Sequence, residues 1–278
     1  MKKYKVFEKL KRSQNLKYRL AINSLIVGIL VGLTIVAHRI IISKLSPIFL
    51  NIYKNGRHNF IIVPFIFLTL IALGYIVGKC LKKQPMISGS GIPQVEGILT
   101  RNLKINWFSV LFYKFVGGLI CLCAGLSVGR EGPSVQMGAC IGEGVSKNLK
   151  NLDNEEKYLI TSGASAGLSA AFNAPLSGVM FALEEAHKNF SPLVLTSAMI
   201  ASISADFVSK QFFGLIPSLD FRKVEPLPLK NYWTLIILGI IIWISGVIFN
   251  KGILKTQSLF KKSKLSIEIK CIIPFVIT

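Results

Sequence analysis

Residues 129–133 read Gly129-Arg130-Glu131-Gly132-Pro133 and open the small-residue segment 131–148. Proline near a helix start loses nothing, because the first amides of a helix have no partner in any case. The flanking glycines leave those amides uncovered, and the helix dipole adds partial positive charge at that end. Such a turn is an anion site, and here a carboxylate, Glu131, is offered at the place an anion would take. The design recurs upstream in Gly89-Ser90-Gly91-Ile92-Pro93, with a hydroxyl in place of the carboxylate. A third string, Phe172-Asn173-Ala174-Pro175, opens a short helix that ends in Glu184-Glu185. Paired carboxylates at the end of an apolar segment are costly unless they sit at an interface or relay protons. Taken singly, each string has a plainer reading. A Gly-x-Gly-x-Pro is common turn chemistry, Arg130 and Glu131 can form a local ion pair, and Glu184 and Glu185 can be solvated. A dinucleotide site is excluded, because no βαβ unit surrounds the glycines. Convergence favours function: several half-length helices open with Gly/Pro chemistry, as transport sites require.

The surrounding chain sets these strings among membrane helices. A bilayer core takes about 20 apolar residues of helix. Segments 18–46, 60–80, 107–126, 193–214 and 231–253 meet that demand, and the first is long enough to tilt strongly. Segments 90–99, 131–148, 155–172 and 175–186 are read as too short to span, and rich in Gly, Ala and Ser. Small residues let helices approach closely in lipid, and interrupted helices survive there only when buried in protein or lining a cavity. The stretch 215–230 carries Pro217, Pro226 and Pro228 and reads as an extramembrane loop. The predicted fold class is therefore all-α: a polytopic membrane protein with tilted and broken helices.

Composition agrees. The 278 residues hold 33 Lys+Arg against 13 Asp+Glu, a net charge of +20, yet only 17% are charged and 51% are hydrophobic. Soluble domains carry about 25% charged residues. The basic residues alternate with apolar runs rather than sharing one face, so nucleic acid is not the expected partner; the lipid bilayer is. Residues 1–17 carry seven Lys and Arg against one acid, Glu8, and predict a cytoplasmic N-terminal helix at the membrane surface. The apolar run 20–36 is too long for a signal peptide, and no small-residue cleavage site follows. With five cysteines, no disulfide framework is expected. Cys121 and Cys123 read as packing residues, and no metal site is predicted. His38, His58 and His187 share no ligand spacing, and Asp206 reads as a packed polar residue or a segment boundary.

The three strings, with Ala170-Ala171 before the third and Leu176 after it, resemble the first half of a CLC chloride channel or chloride/proton antiporter. They occur in the family's order and at similar spacing, and the likeness runs from about residue 18 to the end of the chain. The resemblance implies one inverted repeat of the CLC fold over 18–214 and the start of a second over 231–278. It implies that Ser90 donates its hydroxyl to a central chloride, cradled by the backbone of Gly89, Gly91 and Ile92. It implies that the amides around Gly129, Arg130, Glu131, Gly132 and Pro133 face the anion path. Glu131 would be the gate that competes with chloride and takes up an external proton. Glu185 would be the internal proton-transfer carboxylate, with Glu184 beside it. Segments 175–186 and 193–214 would form a homodimer face. The implied substrates are chloride and protons, without a cofactor, and the implied setting is the plasma (inner) membrane. Ser90 favours chloride over fluoride or nitrate, and Glu185 favours proton-coupled exchange over a passive channel.

The departure is as informative. The family core is two inverted repeats, and the second-half Gly-x-Phe-x-Pro element and chloride-coordinating tyrosine have no counterpart. The sequence reads as a truncated product or fragment, expected to insert in a membrane without carrying selective chloride current by itself. Two other readings stand beside transport: a non-transporting membrane module that only assembles, and a membrane enzyme acting on lipid phosphates. The enzyme would need paired acids for a metal, and the apolar segments hold too few.

Overall fold

The computed structural model describes residues 16–149, 153–188, 190–215 and 227–277. Most of the expected basic helix at 1–17, the greater part of the 215–230 loop and Thr278 lie outside the described residues. What is described is helical, with no strand among the described residues. The helices are α1 (Leu16–His58), α2 (Val63–Lys83), α3 (Ile92–Leu99), α4 (Trp107–Cys123), α5 (Glu131–Asn148), α6 (Asp153–Phe172), α7 (Pro175–Phe181), α8 (Pro192–Phe213), α9 (Trp233–Lys262) and α10 (Ile267–Ile277). A π-helical turn, Ala182–Ala186, continues α7. Among the described residues four helices are long and apolar enough to cross a membrane, α1, α2, α8 and α9; α4, expected to span over 107–126, is 17 residues long and is not among them.

Four glycine pairs, each spaced by four residues, explain how the helices meet. In a helix, positions i and i+4 share a face. On α1, a β-carbon at Gly28 would stand 2.4 Å from the Ala201 carbonyl of α8, and one at Gly32 3.1 Å from that of Ala205. On α5, Gly138 and Gly142 bear in the same way on the backbone of Gly163 and Leu159 in α6. Gly163 and Gly167 of α6 return the contact to Gly138 and Ser134. On α2, Gly74 and Gly78 receive the backbone of Ile272 and Glu268 in α10. Lys82 then closes on Glu268 at 2.8 Å. Without Cβ atoms the helix axes come close enough for dispersion contacts that lipid alone would not supply.

Helix α6 is the centre of this arrangement, packed by α1, α5, α7 and α8. The sequence reading took 155–172 as too short to span. The structure corrects it to a continuous 20-residue helix, about 30 Å long. The reading failed because the segment is rich in Ser, Ala and Gly, and a helix surrounded by protein needs no lipid-like surface. Its hydroxyls are satisfied within the protein. Ser165 and Ser202 are 2.6 Å apart, Ser169 donates to the Ser202 carbonyl, and Ser162 and Thr161 donate back to their own turns. Helix α1 also exceeds its predicted span, continuing through Pro47 to His58. Helix α9 differs from the rest: none of its residues is buried, and Trp243, Ile248 and Phe249 stand exposed.

Gly163→Ala is expected to destabilise the protein by about 1–3 kcal/mol, as overpacking does in a closed core. The new methyl carbon would lie 2.1 Å from the Gly138 carbonyl oxygen, backbone that no side-chain rotation can move. Gly246→Ala, with nothing within 4 Å, should leave stability unchanged. Melting temperatures of the two variants in one detergent check this contrast.

Candidate functional site

The two glycine turns meet. A β-carbon at Gly132, the second residue of α5, would stand 2.4 Å from the Ser90 carbonyl oxygen. The turn before α3 is thus laid on the first turn of α5. A cleft of about 490 Å³ opens beside this junction, walled by α2 and α4. Of the residues singled out in the sequence, Gly89, Ser90, Cys121, Gly129, Glu131, Gly132 and Pro133 line it.

Local chemistry holds the first turn open. Gly89 and Gly91 take φ of +67° and +99°, backbone that an L side chain rarely adopts. Three side chains engage the carbonyls of this turn. Gln136 donates to Met86, Gln94 donates to Ser88, and Lys114 donates to both Ile87 and Gly89 at 2.9 and 2.8 Å. The Ile92 amide approaches the Ser90 oxygen at 3.4 Å, which leaves the hydroxyl hydrogen available to a ligand. At the second turn, Glu131 is exposed to the cleft and folds back. One of its carboxylate oxygens lies 2.1 Å from where a β-carbon of Gly129 would be, so a side chain there would displace the carboxylate.

Lys114 is a cleft residue that the sequence strings do not include. It sits in the middle of the apolar helix α4, is 5% exposed, and lines the cleft. Among the described residues no carboxylate pairs with it; its only hydrogen bonds go to the two carbonyls. A buried ammonium without a counter-ion is expensive, and an anion in the cleft supplies one. The signal was present, since an ionisable residue inside a membrane segment is a functional candidate by default. Tyr113, beneath the Lys83 ammonium at 5.6 Å, lines the cleft as well.

The other named residues lie elsewhere. Gly91 is buried against Gln136, and Ile92 packs with the α3–α5 core. Arg130 turns to the Phe172 ring at 5.6 Å rather than into the cleft. Asn173, with φ of +55°, accepts from Arg39 and Ser209 and so ties the start of α7 to α1 and α8. Asp206 is packed rather than terminal: it pairs with Lys210 at 2.6 Å one turn along α8. Glu184 and Glu185 are not in the cleft. Both are exposed in the π-turn, which packs against α3, and Lys188 beyond it pairs with Glu96 of α3 at 3.1 Å. Helix α3, about 12 Å long, therefore links the cleft at its start to the carboxylate turn near its end. His187 follows, stacked on Tyr158 and 3.2 Å from the Thr161 hydroxyl. Burial holds its imidazole below the ordinary range, and Lys157 adds to the effect.

Comparison with known proteins bears on the family and the fold. The chain is 36% identical over 243 residues to the proteins named H(+)/Cl(-) exchange transporter ClcA of Salmonella paratyphi B and Salmonella newport, covering 85% of this chain. It spans about half, 51%, of the length of each. Its fold matches the crystal structure of a slow cyanobacterial Cl-/H+ antiporter with a TM-score of 0.85 at 28% identity, covering 93% of this chain and 63% of that one. A eukaryotic CLC transporter matches in fold alone, with a TM-score of 0.72 at 20% identity over 94% of this chain and 50% of that one. The sequence model described as voltage gated chloride channel covers residues 69–278. With its two glycine turns joined over a lysine-lined cleft, the chain belongs to the CLC family of voltage-gated chloride channels and transporters.

Proposed function

We propose that this chain forms the first-repeat side of a chloride pathway and that the pathway exchanges chloride for protons. The observation that carries the reading is Lys114, a buried cation without a carboxylate partner in a cleft shared by two glycine turns. In this reading the Ser90 hydroxyl donates to chloride, and the backbone of Gly89, Gly91 and Ile92 cradles it. The amides of the Gly129-Arg130-Glu131-Gly132-Pro133 turn face the anion, and Lys114 balances its charge. Glu131 is the gate. Ionised, it occupies the amide-rich position that chloride would take; protonated, it leaves. Glu185, with Glu184 beside it, passes protons at the far end of α3 without touching the anion.

The domain reading follows: a first repeat over 18–214, a connecting loop over 215–230, and the opening of a second repeat over 231–278. The protein sits in the bilayer of the plasma (inner) membrane with its N-terminus in the cytoplasm. A homodimer through 175–186 and 193–214 is part of the proposal. Leu195, Met199, Ile203 and Phe207, four residues apart on α8, form an exposed apolar stripe, and Leu176 and Met180 of α7 are exposed as well. A stripe of that period suits helix-to-helix association in lipid.

Anion binding can be read on the chain itself through ligand-linked stability, since a ligand that binds only the folded state raises its melting temperature. Chloride should raise the melting temperature relative to gluconate. Lys114→Met should reduce chloride affinity by about tenfold or more, the worth of a lost charge-assisted contact. Glu131→Gln should increase it, because a competing carboxylate has been neutralised. Equal stabilisation by chloride and gluconate in all three proteins would remove the assignment.

Transport requires donors on every side of the ion, so its test joins the chain to the second repeat of a relative and follows both ions in liposomes. Glu131→Gln should preserve chloride flux and abolish coupled proton movement. Glu185→Ala should suppress proton movement more than chloride movement; an equal fall in both would make Glu185 structural.

A further inference from the structure

A second charged cavity lies away from the cleft. It measures about 500 Å³ and opens between the α3–α4 connection, the last turns of α5 and the first turns of α6. Arg101 and Lys104 enter it from the connection, Lys147 and Glu143 from α5, and Lys157 and Glu156 from α6. The connection is held in place: Asn102 and Leu103 donate back to the Gly97 carbonyl, and Leu103 covers Gly97, where a β-carbon would meet it at 2.4 Å. Arg101 and Lys104 are therefore presented by a closed helix end rather than by a loose loop.

The two signs are arranged unequally. Among the described residues Lys104 and Lys157 have no ion pair. Glu143 is 5% exposed; one of its oxygens accepts from Lys147, and the other, Oε2, is buried with no hydrogen-bond partner among the described residues. A simple anion would suit the cations and leave Oε2 without a donor. A simple cation would satisfy Oε2 and add to the crowd of positive charge. Both demands are met by one ligand carrying a phosphate and an N–H-bearing ammonium.

The residues around the cavity also resemble those of a bilayer headgroup layer. The Arg19–Glu155 pair at 2.6 Å sets the start of α1 beside the start of α6, next to the cavity. Trp107 packs on Gly144, the residue after Glu143. Tryptophan and clustered lysine mark the headgroup layer of a bilayer. We propose that this cavity is a site for a phosphoethanolamine group, with the phosphate on Arg101, Lys104 and Lys157 and the Glu143 carboxylate turning to accept from the ammonium. A membrane phospholipid and a free phosphoethanolamine ester share this chemistry.

The test is lipid retention by the purified full chain, read by native mass spectrometry after exchange into lipid–detergent mixtures. Phosphatidylethanolamine should be retained over phosphatidylcholine by about tenfold or more, because choline has no N–H to give. Along the series ethanolamine, N-methyl, N,N-dimethyl and choline, retention should fall most at the last step, where the final N–H is lost. Glu143→Gln should erase the preference, and the double variant Lys104→Gln/Lys157→Gln should lower retention of every headgroup. Soluble glycerophosphoethanolamine that displaces the lipid at millimolar concentration makes the headgroup alone the ligand; failure to displace makes it the membrane lipid. Equal retention along the methylation series in the unmodified chain, or stronger retention of phosphatidylglycerol, overturns the proposal whether or not the variants fold.

Discussion

The contact on which the structure depends is backbone against backbone, between α5 and α6. Gly138 and Gly163 face each other so closely that a methyl carbon at either would reach the other's carbonyl oxygen within about 2 Å. Gly142 on Leu159 and Gly167 on Ser134 repeat the contact one turn away on either side. This crossing fixes α5 along its whole length, and so fixes the place of its first turn. Gly132 then meets Ser90, and Glu131 faces the cleft. Small residues far from the cleft thus set a geometry there that the cleft's own residues do not set.

The cleft solves a problem of polarity. A low-dielectric interior penalises a lone charge and an unpaired dipole alike. The turn before α3 has carbonyls that would repel an anion, and Gln136, Gln94 and Lys114 engage them. Lys114 contributes twice, as donor to two carbonyls and as a charge that an anion can balance. The carboxylate of Glu131 lies at a helix end that favours negative charge, and in the proposed function it is the alternative occupant.

The two ends of the bundle are held by different chemistry. At the end where α1 begins, the polar contacts are ion pairs, Arg19 with Glu155 and Glu96 with Lys188, beside a cavity of mixed charge. At the other end Arg39 donates to the Ala170 carbonyl, to Asn173 and to Ser209, and lies over the Phe213 ring at 3.8 Å. That network ties α1, α6, α7 and α8 together where α7 begins. Asn173, read from the sequence as part of a helix-opening string, owes its place to these bonds.

The sequence by itself determined the class of the protein and the location of its turns. Apolar runs of membrane length, glycine and proline at helix starts, and basic flanks are local features, and local features are legible in one dimension. Glu131 and Ser90 were legible for the same reason: each is one residue of a turn whose chemistry is complete within five positions. Tertiary structure alone decided what the turns do together. The Ser90–Gly132 contact joins segments some forty residues apart, and no periodicity encodes such a distance. Helix α6 was misjudged because hydropathy measures fitness for lipid, and its serines are satisfied by α8 and by its own turns instead. Lys114 was one basic residue among 33 until its burial and its two carbonyl partners distinguished it. Burial is a property of what surrounds a residue, and that is settled only when distant segments pack.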